Sequence, residues 1–425
     1  MRNLMTKIWH DKRGNTLIIV AAALPLLIGS AGLATDTIQW TLWKRQLQRA
    51  ADSAAIAAVY DRQSNTGSTA NVSNAVARDL TLNNHVWMSL KPGFPTLAYP
   101  ANAGVRFNQV TVGLAIQQKQ VFSSMFMSTV PTITANATAA GISLGDPCIW
   151  ATDPAATNAV LFSGNAEVIM PKCPVFSNSA AVNAAIAKGS SKVHAKSVGA
   201  VGGVQGSSNF TVGAYYPYSA PVRDPYAGVT PSTSDMNCTS AELNENTSAA
   251  TLGTYNCFSS LSVKSSKSLT IPATYTGPIY INGGNVNFQG DFTCAACTIV
   301  LTNSDPASSV IGNVTANGGT NVNITAPTSG TFKGLAIYQD RRATDCSNCN
   351  KINGNSSSLI TGAIYFPNQE LQYNGTGNTA AVCTRFIGKR VTFTGNSGTN
   401  QFKGLDECTT YFDDTASQTI VRLVG

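Results

Sequence analysis

Apolar residues run without interruption near the start of the chain and then recur at helical spacing. Residues 16–34 read TLIIVAAALPLLIGSAGLA, an uncharged stretch about as long as a helix that crosses a bilayer. Beyond it, apolar residues recur every three or four positions while charged residues share the opposite face, which predicts that the same helix continues out of the membrane. A short anchor followed by a separate core helix would give the same pattern. The stripe expected to pack on the rest of the protein is Leu47, Ala50, Ala51, Ala54 and Ala58.

Basic and aromatic residues flank the apolar stretch on opposite sides. Lys12 and Arg13 lie before it, and the positive-inside rule therefore places residues 1–15 in the cytoplasm. Trp40 and Trp43 follow it, where amphipathic rings settle at the headgroup layer, so these four residues are the predicted membrane-interface anchors. A cleaved signal peptide is the alternative, but its helix would end near the cleavage site, whereas the helical pattern here continues. The pattern favours a single-pass protein of the bacterial inner membrane.

The next part of the chain mixes helical and strand patterns. Residues 72–82 predict a second, shorter helix, while residues 108–117 and 131–140 alternate as strands do. Together these elements predict a small periplasmic α+β domain over residues 35–145, wrapped on the long helix.

Two methionines lie between the predicted strands. Met125 and Met127 belong to an apolar run, residues 121–127, with helical spacing. A Met cluster of this kind is core material far more often than a metal or haem site, because the thioether fills irregular gaps. We therefore expect both side chains to be buried.

From about residue 147 the chain changes character. Short apolar runs such as NAVLF, TIVLT and LITGAIYF alternate with turns rich in Gly and Asn. Tight, left-handed corners favour these two residues, and short strands at nearly regular spacing are typical of stacked coils. Residues 146–425 are therefore predicted to form an all-β domain, a right-handed parallel β-helix (solenoid), with a β-sandwich as the alternative. Residues 181–188 are the main stretch here with a helical pattern.

Charge and composition modify this picture only slightly. The formal net charge is +7, from 28 Lys and Arg against 21 Asp and Glu, but eight of the basic residues lie in residues 1–62, against four Asp, and mostly flank the membrane segment. No basic stripe interleaved with aromatic residues occurs, so a nucleic-acid partner is not expected. Only 12% of the residues are charged, which leaves Ser, Thr, Asn and Gln to cover the surface and is typical of an exported β-rich protein.

All ten cysteines lie at or beyond residue 148, in the predicted β-rich body. An even number of cysteines behind an export segment indicates an oxidising compartment. The two CxxC pairs could bind zinc if they converged, or act in redox chemistry at a helix N-terminus, but their spacing and context favour local disulfides. The other six could pair in chain order, as 148 with 173, 238 with 257 and 383 with 408, while sequence alone leaves the connectivity open. The candidate disulfide residues are Cys148, Cys173, Cys238, Cys257, Cys294, Cys297, Cys346, Cys349, Cys383 and Cys408.

Candidate catalytic residues are few. The sequence contains no Walker-loop or HExxH motif, and His194 in KVHAK is typical of a solvated strand residue. His10 falls in the cytoplasmic segment and His85 in the α+β domain. We therefore predict no catalytic residue, no metal and no cofactor. Because β-helices often host enzymes that act on polysaccharides, the carboxylates to examine are Asp340, Asp345, Asp413 and Asp414, with Arg341 and Arg342 beside the first.

Residues 12–59 also resemble a known family. The run DKRGNTLIIVAAALPLLIGSAGLATD, followed by WKRQLQRAADSAAIAAV, is similar to the N-terminal region of TadG-like proteins of the Tad (Flp) pilus-assembly system. The shared elements are the charged RGN segment, the Leu-Pro-rich span, the Gly-Leu-Ala-x-Asp exit and the (R/K)xLQxAADxAAxAA helix. Ile19 stands where prepilin-like relatives carry Glu, five residues after a cleaved Gly, and this difference favours retention in the membrane.

The resemblance implies a pilin-like α+β domain, a β-helix-like C-terminal region and a structural role. The protein would be a non-enzymatic component of a Tad (Flp) pilus or secretion system, anchored in the inner membrane. Its periplasmic body would contact other pilus-assembly proteins or a surface polysaccharide, as in adhesion. The alternative function is a membrane-tethered β-helix that binds or cleaves carbohydrate. Clustered carboxylates beside an Arg or aromatic platform in one groove would favour that alternative.

Overall fold

The computed structural model describes most of the chain. The chain divides into two compact units, the first comprising Met1–Ile142 with Val421–Gly425 and the second Ser143–Ile420. Lys12, His10, His85, Asp413 and Asp414 lie outside the described residues, as does the side chain of Arg13. The described residues are 13–83, 89–103, 106–125, 127–353, 358–374, 382–395, 400–412 and 418–424.

Helices and strands are numbered separately in chain order. The helices are α1 (Arg13–Ser64), α2 (Val72–Asn83) and α3 (Ala249–Thr254). The strands are β1 (Thr96–Ala98), β2 (Arg106–Ile116), β3 (Ile133–Gly145), β4 (Ile149–Ala151), β5 (Val160–Phe162), β6 (Glu167–Ser177), β7 (Ala185–Ala187), β8 (Lys192–Ala200), β9 (Val204–Gln205), β10 (Phe210–Tyr216), β11 (Glu242–Asn244), β12 (Cys257–Phe258), β13 (Ser260–Val263), β14 (Ser268–Thr270), β15 (Gly277–Asn282), β16 (Val286–Phe288), β17 (Asp291–Cys294), β18 (Cys297–Thr302), β19 (Val314–Ala316), β20 (Val322–Thr325), β21 (Leu335–Gln339), β22 (Asn350–Ile352), β23 (Leu359–Tyr373), β24 (Thr384–Phe393), β25 (Asn400–Gln401) and β26 (Gln418–Leu423).

The described part of the first unit consists of two helices and a four-stranded sheet. α1 is continuous for 52 residues and passes through Pro25, so the apolar stretch and the amphipathic stretch form one helix. β1 pairs with β2, and β2 with β3, in antiparallel fashion. β26 extends the sheet in the order β1–β2–β3–β26. β26 thus joins the sheet of the first unit, although it falls within residues 146–425, the range predicted for the all-β domain.

The core of the first unit lies between α1 and the sheet. The Ala-rich stripe of α1 packs on residues of β2 and β3, and its small side chains let helix and sheet approach closely. Val72 and Val76 of α2 join the same core. The buried residues from the two strands are Val110, Val112, Leu114, Ile116, Ala135, Ala137 and Ala139.

Met125 and Met127 are not part of this core. Their side chains are 73% and 44% exposed, and the apolar run that contains them includes a 3₁₀ turn, Ser123–Met125. The prediction that both are core residues is wrong. Helical spacing over so short a run shows that its apolar residues share a face, but it does not show what that face contacts.

The second unit is built from rows of parallel strands. In the first row each strand pairs with one that follows it in the order β12–β15–β18–β21–β23–β24, and the row continues as β4–β6–β8–β10. A second row runs β11–β13–β16–β19–β22–β23–β24 and continues as β5–β7–β9. A shorter row is β14–β17–β20–β23. All strand pairings in the described part of this unit are parallel, unlike the antiparallel sheets of a β-sandwich.

Both faces of the first row are buried. In β15, Ile279 and Ile281 belong to the main core, whereas Tyr280 between them belongs to a second cluster. The registers of neighbouring strands align Tyr280 with equivalent residues, which form a ladder along the row. Strands buried on both faces appear in the sequence as continuous apolar runs. The ladder residues are Cys257, Tyr280, Val300, Tyr338, Tyr365, Ile387, Trp150 and Phe176.

The row order puts the end of the body beside its beginning. β24 pairs with β4 and β5, so the runs β11–β24 and β4–β10 continue one another. The connecting segment, residues 217–237, follows β10 and leads to the run β11–β24. It packs on the ladder. Val222 exchanges two hydrogen bonds with the side chain of Asn178, at 2.8 and 2.9 Å. The ring of Tyr226 packs edge-on against Tyr365, with 5.4 Å between the centroids.

The helical pattern over residues 181–188 does not produce a helix. Ala185–Ala187 form β7, which pairs in parallel with β5 and β9. Ala is a strong helix former, but both end residues of β7 are buried in the main core. Pairing and burial therefore override the local preference.

Candidate functional site

The N-terminal half of α1 carries an exposed apolar surface. Large apolar side chains from Ile19 to Leu33 point away from the rest of the first unit, and Leu26 and Leu27 are 76% and 67% exposed. Burying such a surface in hydrocarbon is favourable, whereas leaving it in water is costly. Among the described residues, α1 is the helix that is long and apolar enough to span a membrane.

Gly32 and Asp36 hold a loop against α1 near the end of this surface. The loop joins β2 to β3. Asp36 is buried, and its Oδ2 accepts a hydrogen bond of 2.5 Å from the backbone N–H of Ser123. The ring of Phe122 lies against Gly32 so closely that a Cβ at residue 32 would overlap it. These residues are the Gly and Asp of the Gly-Leu-Ala-x-Asp segment, and the structure gives both a contact role.

The second half of α1 is packed into the first unit. All five residues of the predicted stripe, from Leu47 to Ala58, are buried there. Trp43 is buried in the same core, and Trp40 is partly buried against it. Both indoles therefore contact protein, and their place at the headgroup layer stays a prediction.

Polar residues of α1 bind the neighbouring elements. Gln48 Nε2 donates to the backbone oxygen of Asn136 in β3 at 2.9 Å and to Asp52 Oδ1 at 2.8 Å. Ser53 Oγ donates to Asp79 of α2 at 3.0 Å. Neither Gln48 nor Asp52 was among the site residues predicted from the sequence. Their spacing of four residues beside the Ala stripe is the signal that could have shown this role.

These features define a protein whose apolar, membrane-type helix continues as the core helix of a small folded unit. Residues 14–63 match a family model described as putative Flp pilus-assembly TadE/G-like, which confirms the resemblance over this segment. The matched segment includes Gly32, Asp36, Gln48 and the Ala stripe. No curated protein and no solved structure matches the chain.

Five disulfides cross-link the body. No cysteine of the described residues, which include all ten, is left as a free thiol. The disulfides join Cys148 to Cys173, Cys238 to Cys257, Cys294 to Cys297, Cys346 to Cys349 and Cys383 to Cys408.

The two described carboxylates considered for sugar chemistry are held in ion pairs. Asp345 accepts from Arg390 at 2.6 Å and from Lys389 at 2.7 Å. The hydrogen bond from Arg390, helped by Lys389, lowers the pKa of Asp345 to about 2. Burial opposes ionisation of Asp340, but hydrogen bonds from Arg342 hold the pKa of this carboxyl below its usual range. A general acid must keep its proton near neutral pH, and neither carboxyl fits that role.

Arg341 clamps the connecting segment. Its guanidinium donates to Asp224 Oδ2 at 2.6 Å and to the backbone oxygens of Tyr226 and Ala227 at 2.7 and 3.1 Å. Tyr365 Oη donates to the same carboxylate at 2.6 Å, and burial raises the pKa of Tyr365 above its usual range, so the phenol keeps its proton. Arg341, which was considered for sugar chemistry beside Asp340, thus binds the chain's own connecting segment.

The remaining candidates do not assemble into a site. His194 lies on β8, half-buried, with Ile169 and Thr211 as its partners on the flanking strands. Asp413 and Asp414 lie outside the described residues. Within the part of the chain that the structure describes, no group of three or more His, Cys, Asp or Glu side chains could hold a metal ion.

Proposed function

We propose that this protein is a membrane-tethered structural component of a Tad (Flp) pilus-assembly system. The TadE/G-like match over residues 14–63 coincides with a helix that is apolar and exposed at one end and packed in a folded unit at the other. That coincidence carries the proposal, because a cleavable signal peptide need not continue as the core helix of the mature protein. Other pilus-assembly proteins are the partners that this family supports.

The topology we propose has one membrane crossing. Residues 1–15 lie in the cytoplasm, residues 16–34 cross the inner membrane, and both folded units lie in the periplasm. Lys12 and Arg13 anchor the cytoplasmic side. The periplasm is oxidising, which suits a body with five disulfides.

We further propose that the rows of the second unit are the faces of a right-handed parallel β-helix. Strands that recur in three rows, each paired in parallel with an equivalent strand, support stacked coils. Gly164 and Gly189 have φ angles of +67° and +70° and their backbones lie against each other, as expected at stacked corners. Such a stack offers an extended surface for partner proteins. A crystal structure with antiparallel or unstacked strands would contradict it.

We propose that the body is not an enzyme. Asp340 and Asp345 are bound by Arg342 and Arg390, and Arg341 binds the connecting segment. A carbohydrate-cleaving site would need two carboxyls of different pKa facing one groove. These ion pairs favour the structural role over the carbohydrate alternative.

Membrane fractionation with thiol labelling tests the topology. The full-length chain is expected to stay with the inner membrane after alkaline extraction, and its cysteines are expected to react with a maleimide only after reduction. The double variant Leu26→Arg, Leu27→Arg places two charges in the span and is expected to lose membrane retention. Leu82→Arg, at an exposed position of α2, is the matched control. Reduced cysteines in intact cells, or a soluble wild-type chain that begins near Thr35, would refute the topology.

Gene deletion tests the role in pilus assembly. A strain that lacks the protein is expected to lose Flp pili, and the wild-type gene is expected to restore them. The Leu26→Arg, Leu27→Arg variant should not restore them if the tether is needed. Normal pili in the deletion strain would remove the proposed role while leaving the topology intact.

A further inference from the structure

The loop between β2 and β3 presents apolar side chains that the protein itself does not cover. Val121, Met125 and Met127 are 70%, 73% and 44% exposed, and all three lie within residues 121–127. Exposed apolar area of this kind is unfavourable in water relative to burial. Single exposed apolar residues are ordinary, but a cluster on one loop marks a contact surface.

The same loop is fixed to α1 where the membrane stretch ends. The Ser123 N–H binds Asp36, and the ring of Phe122 occupies the space that Gly32 leaves open. Gly32 and Asp36 lie about 6 Å apart along the helix axis, on either side of Ala34, the last residue of the apolar span. The loop is therefore held at the depth where α1 passes from hydrocarbon to headgroups.

We infer that this loop is a second membrane contact, which inserts Val121, Met125 and Met127 into the interfacial layer of the bilayer that α1 crosses. The inference rests on the proposed membrane crossing and adds a site to it. The occupant is lipid because the loop is attached to α1 at Gly32 and Asp36, where the exposed apolar span ends. Exposed Lys119 on the loop suits the phosphate layer, since its stem is apolar and its ammonium can reach headgroups.

A single helix leaves the attached domain free to rotate about the helix axis and to tilt. A second contact beside the helix removes much of that freedom. The first unit would thereby be held in one orientation on the membrane, with the face of α1 that carries Gly32 and Asp36 turned toward the loop's lipid contact. In this way the Gly-Leu-Ala-x-Asp segment would fix the orientation of the first unit on the membrane during pilus assembly.

Photo-crosslinking in the full-length chain tests the inference. Benzoylphenylalanine is placed singly at Leu27, Met125 or Leu82, each exposed in the first unit, in cells with radiolabelled phospholipid. Leu82 lies on α2, which bonds to α1 near Ser53, about 28 Å beyond the end of the span. Lipid adducts are expected at 27 and 125 and absent at 82. A protein adduct at 125, or none there with a lipid adduct at 27, would overturn the loop contact alone, whereas no adduct at 27 would refute the membrane crossing.

A pair of glycine variants tests whether α1 positions the loop. Gly32→Leu displaces the Phe122 ring, so the lipid adduct at 125 is expected to be lost while the adduct at 27 remains. Gly29→Leu is the matched control, because a Cβ at residue 29 meets no atom within 4 Å. It should keep both adducts. Equal adducts at 125 in the two variants would overturn the positioning role.

Discussion

Gly32 and Asp36 show how a sequence motif can be misjudged when it is considered one residue at a time. Both are weak helix formers, and they stand one turn apart in the middle of a 52-residue helix. Their local effect on the helix is unfavourable. The structure explains them by their contacts, since Gly32 makes room for Phe122 and Asp36 binds the Ser123 N–H. The motif was visible in the sequence, but its partner lies 87 residues away along the chain.

Asp36→Ala is expected to loosen the loop between β2 and β3. The substitution leaves the buried Ser123 N–H without its acceptor, at a cost of about 1–3 kcal/mol. Limited proteolysis of the detergent-solubilised protein should then cut faster between residues 117 and 132. Asp36→Asn keeps an acceptor oxygen and is expected to resemble the wild type. If the Ala and Asn variants were cut at the same rate as the wild type, the loop would not depend on this bond.

Asp345 makes the body sensitive to acid. Its hydrogen bond from Arg390 lowers the pKa from 3.8 to about 2 in the folded state. A depressed pKa contributes stability that is fully present above pH 4 and is lost as the pH falls from about 4 to 2. The midpoint of thermal unfolding should fall over that range, and less steeply in Asp345→Asn. Arg390→Gln removes the main hydrogen-bond donor and should also make the unfolding midpoint less dependent on pH over the same range. If both variants kept the pH dependence of the wild type, the assignment of this acid sensitivity to Asp345 would be contradicted.

Elements with a local signal were predictable, and elements that depend on distant partners were not. The helical periodicity of α1 is a property of consecutive residues, so both its membrane stretch and its Ala stripe could be identified from sequence. Residues 181–188 carry an equally local helical pattern, yet Ala185–Ala187 form a strand because neighbouring strands pair with them. Met125 and Met127 illustrate the same limit, since periodicity does not reveal whether a short apolar run faces the core or the outside.

Leu47 and Leu42 offer a matched test of the packing of α1. Leu47 is 1% exposed in the core of the first unit, whereas Leu42 is 46% exposed on the same helix. Leu47→Ala removes a buried side chain and is expected to destabilise the unit by about 2–5 kcal/mol. Leu42→Ala should cost about 0.5 kcal/mol or less, as most surface changes do. Urea unfolding in detergent measures both, and similar losses would show that the stripe does not carry the core.

The order of strands in the second unit is a property of the whole molecule. Parallel rows of short strands were expected from the Gly and Asn turns, but nothing in the sequence indicates that β24 pairs with β4 and β5. That junction joins residues more than 200 positions apart, as in the hydrogen bond from Arg385 to Asp146. Because of this junction, the chain must return along the ladder after β10 before the run β11–β24 begins. The connecting segment makes that return. Arg341, which stands beside one of the carboxylates considered for sugar chemistry, binds Asp224 of this segment.

The junction between the two runs is expected to make the body unfold as one cooperative unit. Asp146 and Arg385 form an ion pair of 2.7 Å with side chains 3% and 1% exposed, and the Arg385 guanidinium also lies over the Phe412 ring, 4.9 Å from its centroid. Arg385→Met leaves a buried carboxylate without its cation, which typically costs about 3–5 kcal/mol. Asp146→Asn, Arg385→Met removes both charges and should recover part of that loss. Calorimetry should show one transition, shifted down in the single variant and partly restored in the double variant. Two separate transitions in the wild type would show that β4–β10 and β11–β24 fold as independent stacks, and the junction would then be only a contact between them.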